Sequence, residues 1–314
     1  MNIETIRYKY LRSVIAPMFR GMGLRASTAV AGRLARGLRQ MDTPSRRRAE
    51  ARLRSALTDA GADHDVDELL TAMYEHQARF WTEALFIPRR LRDDSWRRHV
   101  HVEGEAELQA LARSKRGCVL ATAYYGNIAA AACALGRIFR PVHVLVDWLA
   151  QPALASWQRS LYAQPQVRPV DVREAVRVLP PLLTGGGAVF MVCEHERQRA
   201  RGIATRFLGR DLNCAPTLGR LSRWFDVPIG VVTCRRNPRL FSFDLALHEV
   251  VERGNDSTDD GKVVRQVMDA LNDAVMRNPE QYLWSTPTRQ DSDCDRTRVP
   301  HDATRPSTAA PAAV

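Results

Sequence analysis

A histidine between two carboxylates, Glu194-His195-Glu196, follows the apolar run Ala188-Val189-Phe190-Met191-Val192. Two acids beside an imidazole raise its proton affinity and hold its ring, which is what a general base needs. The same triplet also suits a plainer task, bracing the loop after a strand, and both readings stand at this point. A second polar cluster, Tyr124-Tyr125-Gly126-Asn127, closes another apolar run, Cys118-Val119-Leu120-Ala121-Thr122-Ala123. Gly185-Gly186-Gly187 lacks the Lys-Ser or Lys-Thr of a phosphate-binding loop and reads as a helix stop and turn. His99, His101, His143 and His248 fall singly on strand-like runs and read as structural residues, so no metal site is expected. Arg197, Arg199 and Arg201 either meet a phosphate group or line a solvated loop.

These clusters need a frame. Buried apolar runs at 118–123, 142–146, 188–192 and 226–232 alternate with helical patterns at Glu105 to Ser114, after Asn127, around Leu154 to Leu161, and around Leu218 to Trp224. His99-Val100-His101-Val102 reads as a short strand, Phe241 to Leu247 as an edge strand, and Val263 to Met276 as a last amphipathic helix. Such alternation predicts an α/β fold, an open and mostly parallel sheet with helices on both faces. The C-terminal ends of its strands are where ligands bind in folds of this kind.

Before the alternating region lie helical patterns. Tyr8, Leu11, Ile15, Met18 and Phe19 recur at helical spacing among Arg7, Lys9, Arg12 and Arg20, with a join near Gly21–Gly23. Val30, Leu34 and Leu38 continue the stripe beside Arg33, Arg36 and Arg39, and Arg46-Arg47-Arg48 extends the basic end; such helices either lie in a lipid interface or pack on the core with a solvated basic face. Residues 44 to 90 read as helical, starting near Pro44 and stopping at Pro88. The predicted organisation is a helical, membrane-associating segment at 1–90, an α/β domain at 91–290, and a Ser/Thr/Ala/Pro-rich disordered tail at 291–314.

Three separated segments together resemble the bacterial late acyltransferases that add lauroyl or myristoyl chains to lipid A. They are Ala121-Thr122-Ala123-Tyr124-Tyr125-Gly126-Asn127, then Glu194-His195-Glu196 with Arg206-Phe207-Leu208-Gly209 and Ala215-Pro216-Thr217-Leu218-Gly219 after it, then Asn278-Pro279-Glu280-Gln281-Tyr282-Leu283-Trp284. The resemblance implies acyl transfer from an acyl carrier protein or acyl-CoA thioester, with no other cofactor. In that family the first motif carries a histidine and, after four intervening residues, an acid; Tyr124 and Ala129 stand in those places here. A tyrosine, with a pKa of about 10, is neutral at pH 7 and donates hydrogen bonds, so it is a poor base. His195 is then a candidate replacement, with Glu194 and Glu196 as its partners. By the same resemblance Gly126 and Asn127 are candidate oxyanion donors, or else a plain turn before a helix, and Arg159 and Thr217 are candidate substrate contacts. Gln151-Pro152 and Ser285-Thr286-Pro287 depart from the family pattern.

The 314 residues carry a formal charge of +11, which favours anionic partners. No nucleic-acid motif accompanies it, so the expected partners are an acyl thioester and an anionic membrane surface. No run of about 18 apolar residues occurs, which predicts a peripheral association, by resemblance at the cytoplasmic face of the inner membrane. The six cysteines form no CxxC pair and read as reduced core thiols. Two functions fit: an acyltransferase with an altered site acting on a lipid-like hydroxyl or amine acceptor, or a non-catalytic relative that binds acyl chains or membrane.

Overall fold

The computed structural model describes residues 16–41, 43–148, 155, 158–159, 161–196, 202–252 and 259–286. The expectations for Arg7 to Ile15, for the helix near Leu154, for Gln151-Pro152, for Arg197, Arg199 and Arg201, and for the tail at 291–314 lie outside these residues.

Nine strands are described: β1 Val100–Glu103, β2 Cys118–Thr122, β3 Val142–Val146, β4 Val167–Asp171, β5 Ala188–Val192, β6 Ile203–Phe207, β7 Arg210–Cys214, β8 Ile229–Arg236 and β9 Phe243–Val251. Seven form one sheet in the order β1-β9-β8-β2-β5-β3-β4, and β6 and β7 form a separate antiparallel hairpin. From β8 to β4 the strands run parallel, and β9 turns back antiparallel on β8. The expected edge strand is therefore β9, but it lies inside the sheet. The four-residue β1 runs parallel beside it and takes the edge position, a short strand that leaves little unpaired backbone exposed.

Alternation along β2 divides the interior into two layers. Val119 and Ala121 enter one core with Leu53, Met73, Leu179 and Leu271, while Cys118 and Leu120 enter the other with Leu24, Leu108 and the alanines of the helix after β2. Both faces are covered by helices, as the apolar strand runs require. Among the described residues these are α1 Ala16–Arg39, α2 Pro44–Ala60, α3 Val66–Ala84, α4 Ile87–Arg90, α5 Glu105–Arg113, α6 Ile128–Phe139, α7 Ala175–Thr184, α8 Thr217–Phe225 and α9 Asp260–Met276.

The N-terminal helices pack on the α/β core through Leu24 of α1, Leu53 of α2 and Leu70 of α3. Helix α1 is broken at Gly23, whose φ of 75° is non-helical, at the predicted join. Pro88 does not end a helix but sits in the first turn of α4, where its missing N–H costs nothing. Gly185 caps α7, as the triple glycine suggested. The five described cysteines are free and buried.

Candidate active site

The register of β2 on β5 explains the main juxtaposition. Cys118 faces Ala188 and Thr122 faces Val192, so two residues past each strand end bring Tyr124 beside Glu194. The pairing continues through the Cys193 amide, which donates to the Thr122 carbonyl at 2.9 Å. The Tyr124 amide then donates to one oxygen of the Glu194 carboxylate, and the Tyr282 hydroxyl donates to the other. All three sequence segments converge here. Tyr125 bridges to Tyr282, and the Leu283 amide donates to the Tyr124 carbonyl at 2.9 Å.

In front of Glu194 lies a cleft of about 290 Å³. Tyr124, His195 and Glu196 line it together with residues from distant elements, notably Arg52 of α2, Asp147 after β3, and Arg210 of β7. Phe207, Leu208, Leu212 and Trp284 supply apolar wall. Among the described residues no cluster of three metal-ligating side chains occurs.

Burial dominates the electrostatics of Glu194. It pushes the carboxyl up to about 7, against the opposing pull of the Tyr282 and Tyr124 hydrogen bonds and the Arg52 charge. Burial, with the Glu194 charge beside it, also pushes the Tyr124 phenol up to about 12. At neutral pH the phenol is thus a donor, while the carboxyl is poised between acid and base. Burial likewise raises Tyr282, which keeps its proton in the bond to Glu194.

His195 is exposed and stands edge-on to the Tyr124 ring, centroids 6.2 Å apart. Its carbonyl accepts from the Ala215 amide at 3.1 Å, and Glu196 bridges to Cys214. The backbone of this triplet therefore braces the loop against β7, as the plainer reading held. Arg52 clamps the far wall by donating to the carbonyls of Trp284, at 3.1 Å, and Thr286.

Two expected oxyanion donors are used elsewhere. The Gly126 amide donates to the Gln281 carbonyl at 3.0 Å and the Asn127 amide to the Cys234 carbonyl at 2.8 Å. Asn127 is fully buried; its Oδ1 caps α6 through the Ala130 amide at 3.0 Å and its Nδ2 donates to Glu83 at 2.9 Å. These residues hold the loop and do not face the cleft. Gly126 is required there, since its φ is 62° and a Cβ would lie 2.0 Å from the Cys234 carbonyl. Arg159 stacks on Trp148 at 4.8 Å, and Thr217 opens α8; neither lines the cleft. Ala129 is buried in α6 among the other alanines.

Behind the loop sits a polar assembly that the sequence did not reveal. Arg236 of β8 makes a two-pronged bond to Glu83 of α3, at 2.8 and 2.6 Å. Its remaining arm meets His76 Nδ1, and His76 Nε2 faces the Gly126 carbonyl at 3.3 Å. Guanidinium only donates and a carbonyl only accepts, so His76 is the neutral Nε2–H tautomer. Burial, followed by the Arg236 charge, holds its pKa well below the usual value, in agreement. Gln281 closes the assembly by bonding both the amide and the carbonyl of Arg236, at 2.7 and 3.0 Å.

A basic helical lead, a mostly parallel sheet and a cleft at the C-terminal ends of β2 and β5, where the three sequence segments converge, make up this α/β protein. The chain belongs to the bacterial lipid A biosynthesis acyltransferases, whose family model matches residues 3–287. A comparison with curated proteins finds no match.

Proposed function

We propose that this protein transfers a fatty acyl group from a carrier-protein or CoA thioester to a lipid-like hydroxyl or amine, with Glu194 in the role of proton acceptor. The carrying observation is a carboxyl raised to about 7 at the strand ends, facing a cleft. Ionised Glu194 takes the proton as the acceptor O–H or N–H attacks the thioester carbonyl. The C–S bond then breaks, and the thiolate leaves with the proton that Glu194 returns. The protonated Tyr124 phenol donates to the carbonyl oxygen as negative charge develops there. An amine acceptor needs the least help from such a base, because its neutral form is already nucleophilic.

No described helix is long and apolar enough to cross a membrane. Helix α1 carries five arginines and no acid, which supports peripheral attachment to an anionic bilayer, by family at the cytoplasmic face of the inner membrane. The basic helices 1–90 serve as the attachment segment and 91–290 as the transferase domain.

A second reading is a non-catalytic acyl-binding relative, favoured by Tyr124 and Ala129 in the motif positions. One experiment separates them. Purified protein is assayed with acyl-CoA and acyl carrier protein donors against hydroxyl and amine acceptors, alongside a Glu194→Gln variant. Transfer that rises with pH through about 7 and falls about 10²- to 10⁴-fold in the variant supports Glu194 as base. Donor binding without transfer favours the second reading, and transfer undiminished in the variant removes Glu194 from the mechanism.

A further inference from the structure

A groove of about 460 Å³ runs between α1 and α3, lined by Arg25, Arg36 and Arg79, with Glu75, Gly32 and Leu240 among its other residues. None of these residues lines the Glu194 cleft. Glu75 spreads its carboxylate over two of the arginines, 3.5 Å from Arg36 and 3.5 Å from Arg79. One carboxylate against three guanidiniums leaves a positive balance. The guanidiniums are open to solvent: Arg25 and Arg36 are exposed, and the Arg79 side chain is 43% exposed.

Leu240 of the β8–β9 turn, 44% exposed, is the large apolar side chain of the lining. Met18 and Met22 are exposed farther along α1, a helix without acids.

From this we infer that the α1–α3 groove is a seat for the phosphate headgroup of an anionic lipid, with Leu240 at its apolar margin. The inference rests on the peripheral-membrane reading above and adds to it a defined headgroup site, where diffuse basic attraction would have none. Planar guanidiniums suit the phosphate oxygens, which accept in the fork geometry that arginine presents.

The test is vesicle co-sedimentation of the full chain, using phosphatidylcholine alone and phosphatidylcholine mixed with phosphatidylglycerol or phosphatidic acid. Three proteins are compared: wild type, the site triple R25Q/R36Q/R79Q, and a control triple R20Q/R33Q/R47Q that removes equal charge from exposed positions of the N-terminal helices outside the groove. Thermal unfolding checks that all three remain folded. The site triple is expected to partition about 100-fold more weakly onto the anionic vesicles, with the control triple close to wild type. Equal loss in both triples, or no loss in the site triple, overturns the headgroup seat while leaving peripheral attachment intact. A wild type that ignores every vesicle overturns both.

Discussion

Two polar clusters lie on either side of the loop Tyr124–Asn127, and they are built on opposite plans. Behind the loop, Glu83, Arg236, His76, Asn127 and Gln281 are buried, and their polar groups are closely matched to one another. None of these residues lines the Glu194 cleft, and His76 is held neutral by its surroundings. In front, Glu194 has only hydroxyl and amide donors on its oxygens, and its carboxyl is pushed up to about 7. A cluster whose charges are all matched fixes geometry. A cluster that leaves a carboxyl half-protonated at neutral pH holds a group at some energetic disadvantage, and such disadvantages gather at functional sites.

The largest expected effect comes from breaking the rear cluster. Arg236→Met leaves Glu83 charged and buried without its partner, and a loss of about 3–5 kcal/mol in unfolding free energy is expected by denaturant titration. Glu83→Gln, which leaves Arg236 unmatched, should fall in the same range. A loss below about 1 kcal/mol for either variant would show that water already reaches this cluster. Gly126→Ala attacks the same support through the backbone. Its positive φ and the 2.0 Å approach to the Cys234 carbonyl predict a cost of about 2–5 kcal/mol.

The front cluster should behave in the reverse sense. Glu194 has a folded pKa of about 7 against an ordinary 4.5, so the native state holds its proton more tightly than the unfolded chain. The stability this supplies is fully present below about 4.5, declines as pH rises through 7, and is absent above. Ionised, buried Glu194 therefore weighs on the fold at alkaline pH. Glu194→Gln should be more stable than wild type at pH 8 by about 1–3 kcal/mol, with the difference vanishing at acid pH. Urea titrations at both pH values read this directly. Gained stability together with lost transfer would mark the front cluster as a functional site, and lost stability would assign Glu194 to the structural class.

Much of this architecture is legible in the residues. The apolar runs at β2, β3, β5 and β8 announced a buried parallel sheet because only a strand covered on both faces is apolar throughout. Strand β4 was missed, since Val167-Arg168-Pro169-Val170-Asp171 is short and carries a proline. Helix α7 was anticipated only by its glycine stop, because Pro180 and Pro181 lie inside it, where each removes a backbone donor. Of the β6–β7 hairpin only Arg206-Phe207-Leu208-Gly209 was singled out, through the family resemblance; Leu208 and Gly209 both have positive φ, as tight hairpin turns require. At the site, Tyr124 and Glu194 were legible from their places at strand ends. Arg52, Arg210, Glu83 and Arg236 were not, because they meet the site from elements far away in the chain. Their types carry no local signal. Only the sheet order and the register, which bring α2, α3, β7 and β8 around one loop, give them roles.

The smallest effects separate neighbours within the front cluster, and they decide which residue the chemistry uses. Tyr124→Phe deletes a phenol that stays protonated below about 12; a lost donor to a developing charge should lower the rate by about 10- to 100-fold and leave the pH profile in place. A profile that moved instead would make Tyr124, not Glu194, the titrating group. His195→Ala should cost less than about tenfold. Its backbone anchors the loop through Ala215 and does not depend on the side chain, and its ring is exposed, where water competes for its proton. The two candidate bases therefore make opposite claims on one measurement. If His195 is the base, His195→Ala abolishes the ionisation near neutrality and Glu194→Gln preserves it. If Glu194 is the base, the inflection near 7 survives His195→Ala and disappears with Glu194→Gln.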